Sequence, residues 1–364
     1  MPNRVEGRAR ALLTPVEIQR VADLFHLQPL IRAHAYNRGS SRFAKAVVVK
    51  AGGARFLVKR RIGNPESIAR VGSSHSVQRE LANRNFPVVS SGRSITGSTW
   101  VAENGWVYEV FAFIDGDRYR RSAREARESG LLLARLHRTM RDWYLAPRQS
   151  NERGYHQNHT VALSWDLLTA RIIQADPAAS RRSVLNLEEG LKERYSASSM
   201  VVEKALELSA SHGRNSILHG DFHPGNVIYR AGTPVALLDF DATRFDRMIF
   251  DVANGALQFA SLTARRNPVP EWNPKLDLQL VESFLTGYAQ AGQLPLHPIE
   301  CEAVPSLMIE SMIAEIVPRL ALDGTLDGRP GAEILTFLAN KSEWIWSQRS
   351  TLTNLCLSCL TNSN

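Results

Sequence analysis

Long apolar runs, a disulfide framework and an excess of acid are all missing from this chain of 364 residues. No apolar stretch approaches the ~20 residues needed to span a bilayer, which excludes a transmembrane-helix reading and predicts no membrane partner. Three cysteines are too few for a disulfide framework. Two of them form Cys356-Leu357-Ser358-Cys359, but no second pair or nearby His completes a tetrahedral metal set, so a reduced C-terminal pair without chemistry is expected. The opening Met1-Pro2-Asn3-Arg4-Val5-Glu6 has no apolar signal core. Its Arg4, Arg8 and Arg10 read as a solvated arm rather than a transit peptide, and a cytoplasmic location is the expectation. No internal repeat or low-complexity tract stands out. Acidic residues number 36 against 44 Lys+Arg, a net charge of +8. Basicity without interleaved aromatic platforms is thin support for a nucleic-acid partner.

What is present is the composition of an ordinary globular protein, 44% hydrophobic and 22% charged, with length for a sizeable core and two lobes. Its most informative stretch is Ile217-Leu218-His219-Gly220-Asp221-Phe222-His223-Pro224-Gly225-Asn226, followed by an apolar run ending in Leu237-Leu238-Asp239-Phe240-Asp241. Phosphoryl transfer asks little covalent chemistry of a protein and much positioning and charge neutralisation. Asp221 would accept the proton of an acceptor hydroxyl. Asn226 and Asp239 supply hard oxygen ligands suited to Mg²⁺ against ATP phosphates. Val227-Ile228-Tyr229 and Val235-Ala236-Leu237-Leu238 read as strands around an Arg230-Ala231-Gly232-Thr233-Pro234 turn, so a hairpin brings Asn226 and Asp239 together.

Protein kinases carry His-Arg-Asp with Asn five residues later, then Asp-Phe-Gly. Here Gly220 replaces the Arg, and Asp241 replaces the last Gly. This combination resembles the aminoglycoside phosphotransferase and choline kinase family of small-molecule kinases. Asp251, in Phe250-Asp251-Val252-Ala253-Asn254, resembles a further Asp of that family and is expected to fix the catalytic loop by hydrogen bonds rather than to bind metal. The resemblance implies an α+β, two-lobed protein-kinase-like fold with ATP and Mg²⁺ in the cleft. Residues 1–113 would form the nucleotide-binding lobe including the hinge, and 114–364 the catalytic and acceptor-binding lobe.

In the first lobe, Ala46–Lys50 and Arg55–Lys59 flank Ala51-Gly52-Gly53-Ala54, a hairpin signal. Lys59 ends the second strand, where kinase folds place the Lys that holds the α/β-phosphates. Arg60 and Arg61 read as exposed strand-end residues. The loop from Tyr36 to Arg42, with Gly39, Ser40 and Ser41, could cover the phosphates with backbone N–H groups, although it lacks Gly-x-Gly-x-x-Gly. A helix over Ser76–Asn83 would let Glu80 meet Lys59 as an ion pair; Glu66 is the rival, but Pro65 puts it at a helix start, where a carboxylate favours the dipole. Trp106–Phe111 reads as the last strand, and Phe111-Ala112-Phe113 as a hinge whose backbone would contact adenine.

The second lobe reads as mainly helical, with segments at Ala123–Met140, Ser164–Ile173, Val201–Ser211, Leu278–Gln290 and Pro305–Leu322. His219 is expected to support the catalytic loop through the backbone, and His137 to be a core or helix-end residue. His223, Arg244, Asp246 and Arg247 have no assigned ligand role. The basic stretch Arg118, Arg120, Arg121, Arg124 and Arg127 points to a neutral or anionic small-molecule hydroxyl acceptor, although an acidic pocket among Glu302, Glu310, Glu315 and Glu343 would reverse that. Two alternatives remain: a Ser/Thr protein kinase of the same fold, and a nucleotide-binding regulator without turnover. Retention of Lys59, Asp221, Asn226 and Asp239 together argues against the second.

Overall fold

Thr14 opens the first helix through a reciprocal capping box. Its hydroxyl accepts the Glu17 N–H at 3.2 Å, the Glu17 carboxylate accepts the Thr14 N–H at 2.8 Å, and Pro15 takes the first helical turn. In the computed structural model, which describes residues 12–36, 43–143, 159–211, 213–263, 266–291 and 296–361, this helix is α1 (Pro15–Leu24). It is followed by β1 (Leu30–Ala35), β2 (Ala44–Lys50), β3 (Arg55–Ile62), α2 (Pro65–Asn83), β4 (Trp100–Glu103) and β5 (Trp106–Ala112). The five strands form one antiparallel sheet in the order β1-β2-β3-β5-β4.

Strand alternation divides this sheet into two chemically different faces. Ala46, Val48, Val58, Tyr108 and Val110 point one way and share a core with Val21, Ala22 and Phe25 of α1. On the other face the register sets Lys45 opposite Lys59, Lys59 opposite Glu109, and Val47 opposite Leu57. One side is therefore sealed by a helix, and the other collects charge.

The chain continues through α3 (Ala123–Thr139), α4 (His159–Ala175), α5 (Arg181–Leu208), β6 (Asn215–Leu218), the hairpin β7 (Val227–Arg230) and β8 (Thr233–Leu237), β9 (Arg244–Arg247) and α6 (Ile249–Ala260). Then come α7 (Leu278–Gln290), α8 (Pro298–Glu302), α9 (Val304–Asp323), a two-stranded β10 (Thr325–Leu326) and β11 (Arg329–Pro330), α10 (Gly331–Ser347) and α11 (Arg349–Leu360). Helices α3 and α7 approach closely because each offers a glycine to the other's backbone. A Cβ on Gly130 would strike the Phe284 carbonyl, and one on Gly287 the Arg127 carbonyl. Among the described residues, no helix is long and apolar enough to cross a membrane.

The chain forms two compact units, Met1–Arg118 with Gly225–Thr243, and Tyr119–Pro224 with Arg244–Asn364. The break expected at 113/114 thus falls five residues later, and the hairpin joins the first unit instead of the second. Its backbone explains why: Leu237 N–H bonds the Pro87 carbonyl at 2.8 Å, and Asp117 and Tyr229 exchange two bonds at 2.7 and 3.1 Å. Helix α2 starts eleven residues before the Ser76 expected from sequence, because Asn64 caps it by accepting the Ser67 N–H at 2.8 Å. The long α5 was foreseen only from Val201. On its earlier turns the buried face alternates Val184 and Leu191 with Glu188 and Ser198, which interrupts the apolar period.

Candidate active site

Two elements of the second unit build the loop that carries Asp221. Strand β6 pairs with β9, Ile217 opposite Phe245 and Leu218 opposite Arg244, and delivers the chain into His219-Gly220-Asp221. Gly220 adopts φ 77°, a left-handed conformation that glycine takes without a Cβ penalty. The turn is pinned by Asp251 in the first turn of α6. Its buried carboxylate accepts the N–H of His219 at 2.7 Å and of Gly220 at 3.0 Å, and lies 3.3 Å from His137 Nε2. Burial alone would raise the Asp251 pKa; the His137 hydrogen bond and the surrounding groups, Arg244 among them, outweigh it and hold the pKa low. His137 Nδ1 in turn lies 2.9 Å from the Tyr288 hydroxyl. His219 Nδ1 accepts the Asp221 N–H at 3.3 Å. Next to it, Phe222 is sealed against Phe259, with ring centroids 5.3 Å apart. The loop backbone is thus fixed on both sides while the Asp221 carboxylate stays half exposed, 3.5 Å from His223 Nε2.

In the first unit, Asn226 ends a short 3₁₀ turn, and its carbonyl accepts the Leu238 N–H at 2.8 Å. The β7–β8 register therefore brings Asn226 beside the start of Asp239-Phe240-Asp241. Asp239 adopts φ 60°, a conformation that costs a non-glycine residue on the order of 1 kcal/mol and that Asp tolerates better than most. Its Oδ1 is buried with no hydrogen-bond partner, and Lys59 Nζ stands 3.6 Å away. A buried carboxylate oxygen left in that state fits a cation ligand. Among the described residues no group of three His, Cys, Asp or Glu forms a metal cluster. A cation here would be held by Asp239, the Asn226 amide oxygen and oxygens brought by a ligand.

Lys59 and Arg61 emerge from β3 onto the charged face of the sheet. Lys59 donates to Asp241 at 3.1 Å, and Arg61 grips the same carboxylate at 3.1 and 3.0 Å. Arg61 Nε also donates to Glu109 at 2.7 Å, and the other Glu109 oxygen lies 2.9 Å from His75 Nε2 on α2. Burial works against the Lys59 ammonium, yet Asp239, Asp241 and Glu109 together raise its pKa. Further along this face, His34, Tyr36, Val47, Arg55, Phe113 and Asp115 line a cleft of 490 Å³. Tyr36 meets the Phe113 ring edge-on at 5.8 Å.

The structure departs from the sequence reading in several places. Glu80 does not meet Lys59: it is held by Arg84, one turn along α2, at 2.6 Å, and Glu66 is likewise held by Arg70. Both acids sit on the partly exposed side of α2, whereas His75 points inward. Arg60 and Arg61 are buried, not exposed; Arg60 pairs with Glu17 of α1 at 2.5 Å. Of the three hinge residues, Phe113 lines the cleft, Phe111 packs edge-on against His75, and Ala112 is exposed. Gly39, Ser40 and Ser41 lie outside the described residues. Arg247 is engaged by Glu300 at 2.8 Å, and Arg244 by Asp246 at 3.3 Å, within the second unit. Sequence reasoning missed Asp241, Arg61, Glu109 and His75. Period-two alternation from Lys59 puts Arg61 on the same face, a signal available without a structure. The Glu109 and His75 contacts depend on a strand register and a helix docking that no local pattern encodes.

The model of the phosphotransferase enzyme family matches residues 36–294. Among curated proteins no sequence matches. Similar solved structures include an aminoglycoside phosphotransferase from Alicyclobacillus acidocaldarius, 17% identical, TM-score 0.63, covering 96% of this chain and 100% of its own. The amicoumacin kinase hAmiN is 14% identical at TM-score 0.61, covering 99% and 98%. An ethanolamine kinase from Plasmodium vivax is also 14% identical at TM-score 0.61, covering 92% and 89%. These likenesses show the protein-kinase-like fold, and the family match spans most of the chain: it belongs to the phosphotransferase enzyme family.

Proposed function

We propose that the protein transfers the γ-phosphoryl group of ATP to a hydroxyl of a small molecule, in a Mg²⁺-dependent reaction. The observation that carries this reading is the buried Asp239 Oδ1, without a hydrogen bond and 3.6 Å from Lys59 Nζ, on the sheet face that also bears the 490 Å³ cleft. Asp239 and Asn226 would hold the cation, which supplies charge neutralisation at the phosphates when bound. Lys59 would bind phosphate oxygens, and the cleft lined by Tyr36, Val47 and Phe113 would take the nucleoside. Asp221, anchored through its backbone and open at its carboxylate, would orient the acceptor hydroxyl and accept its proton. The structure of the amicoumacin kinase holds AMP-PNP and Ca²⁺, which supports an ATP-like donor with a divalent cation here.

The named acceptors of the similar kinases, amicoumacin, an aminoglycoside and ethanolamine, favour a small molecule over a protein. Of the four acids that might have built a polycation pocket, Glu302 is exposed and the other three have partners or are neutralised. Glu343 pairs with Arg194 and Glu315 with Arg319. Glu310 is pushed up to about 8 by burial and so is mostly neutral at pH 7. This supports a neutral or anionic acceptor. The test is an ATP-consumption assay against pools of neutral and acidic hydroxylated metabolites, kanamycin-type aminoglycosides and peptides. Turnover is expected with a neutral or anionic small molecule. Saturable phosphorylation of an aminoglycoside at micromolar levels would overturn the acceptor class, and turnover on peptides alone would move the protein to Ser/Thr phosphorylation.

A further inference from the structure

A kinase lysine that binds phosphates must be held in place, and the carboxylates of α2 are not available for that task here. Glu80 and Glu66 are tied to arginines of their own helix, and the inward residue of α2 is His75. What touches Lys59 instead is the last residue of Asp239-Phe240-Asp241, at 3.1 Å. A glycine at this position, as in protein kinases, could not make that contact.

We propose that Asp241 is the positioning residue for Lys59, that Arg61 holds Asp241 for that purpose, and that α2 reaches the pair through His75 and Glu109 rather than through a carboxylate of its own. This rests on the reading of Lys59 as the phosphate-binding lysine.

Every link in this chain of contacts is a short polar contact between buried or largely buried groups. His75 Nδ1 lies 2.9 Å from Thr99 Oγ1, and its Nε2 lies 2.9 Å from Glu109. Glu109 accepts from Arg61 at 2.7 Å; Arg61 spans both oxygens of Asp241; Asp241 accepts from Lys59. Arg61 suits the middle position because its planar fork can grip both oxygens of Asp241 while Nε serves Glu109, a bidentate geometry a lysine lacks. The Phe43 ring lies 4.5 Å from Lys59 Nζ and 4.8 Å from the Arg61 guanidinium, closing the cations off from one side. The Asp241 carboxylate thus lies between two cations, with both of its oxygens engaged.

The experiment is calorimetric titration with ATP, with and without Mg²⁺, and with adenosine alone. It compares the parent protein with Asp241→Asn, Arg61→Lys and Glu80→Gln. Asp241→Asn should raise the Kd for ATP about tenfold, by the same factor with and without Mg²⁺, because Lys59 acts on phosphate in both cases. Adenosine has no phosphate, so its Kd should stay within about twofold; a variant that had merely lost its structure would lose adenosine as well. Arg61→Lys keeps the charge and loses the fork, and should weaken ATP by about threefold or more with adenosine unchanged. Glu80→Gln should leave both within about twofold. A loss confined to the Mg²⁺ titration would make Asp241 a metal ligand and overturn the proposal. So would an unchanged ATP Kd in Asp241→Asn, or the largest loss in Glu80→Gln. If Asp241→Asn does not fold, Arg61→Lys decides, and normal ATP binding by it overturns the proposal. A parent protein that binds no ATP overturns the nucleotide reading and this proposal with it; a parent that binds ATP while the variants match it overturns this proposal alone.

Discussion

Asp251→Asn offers a sharp test of how the catalytic loop is held. The carboxylate is buried in the first turn of α6 and accepts two backbone N–H groups, at 2.7 and 3.0 Å. An amide keeps one accepting oxygen and turns an NH₂ toward the other N–H, so one hydrogen bond to a charged acceptor is lost and one buried donor is orphaned. Losing one hydrogen bond to a charged acceptor, with its buried donor left orphaned, costs about 1.5–3 kcal/mol. Taking about 2–3 kcal/mol in all, and about 2–4 °C per kcal/mol for a unit of 150–250 residues, the melting temperature should fall by roughly 4–12 °C. The pH dependence has a definite sign. The Asp251 pKa is lowered on folding, so its stabilisation is present above its unfolded value, about 3.9, and is lost as pH falls through the still lower folded value. The gap in melting temperature between parent and variant should therefore be flat from about pH 8 to 5 and shrink only below about pH 4. Thermal melting by circular dichroism across that range, with turnover measured on the same samples, reads both. A variant melting within about 1 °C of the parent, or a gap already closed at pH 6, would refute the reasoning.

Further expectations follow from the same geometry. Asp221→Asn should cut transfer by about 10²–10⁴ while ATP affinity stays near that of the parent, since the general base acts on the acceptor; turnover within a few-fold of the parent, assayed with the acceptor, would remove Asp221 from that role. Lys45 stands opposite Lys59 in the β2–β3 register, and burial together with the Lys59 charge pushes its pKa down to about 8. Raising the pH through about 8 discharges it, so ATP binding should weaken between about pH 7 and 9 and be accompanied by proton uptake near pH 8.5. Calorimetry in two buffers of different ionisation enthalpy measures that uptake, and Lys45→Gln should abolish it; equal heats in both buffers would place Lys45 away from the phosphates.

The site was legible where its chemistry is written in consecutive residues, and obscure where it depends on packing. Asp221, Asn226 and Asp239 fall within nineteen positions, and the hairpin between them announces itself by an Ala231-Gly232 turn flanked by apolar strands. Lys59 is singled out in the sequence as a strand-end lysine, although β3 runs on to Ile62 and places it mid-strand. Its partner was misjudged because α2 offers a carboxylate at a plausible spacing. Which side of that helix faces the sheet is decided by the burial of Val71, His75, Val77 and Leu81, a mixed stripe with little apolar contrast. The same cause hid α6, where eleven of twelve residues are buried and no polar face marks the period. Arg61 was dismissed as a surface residue because charge usually signals exposure. It is buried because Asp241 and Glu109 come to it from elements about 180 and 48 residues away.

The most direct test of the account is calorimetric titration of ATP, with and without Mg²⁺, into the parent protein and Asp239→Ala. If the buried Asp239 oxygen is a cation ligand, Mg²⁺ should tighten ATP binding to the parent and have no such effect on Asp239→Ala, with Asn226→Ala between the two and needing more Mg²⁺. Equal Mg²⁺ dependence in the parent and Asp239→Ala would contradict the account.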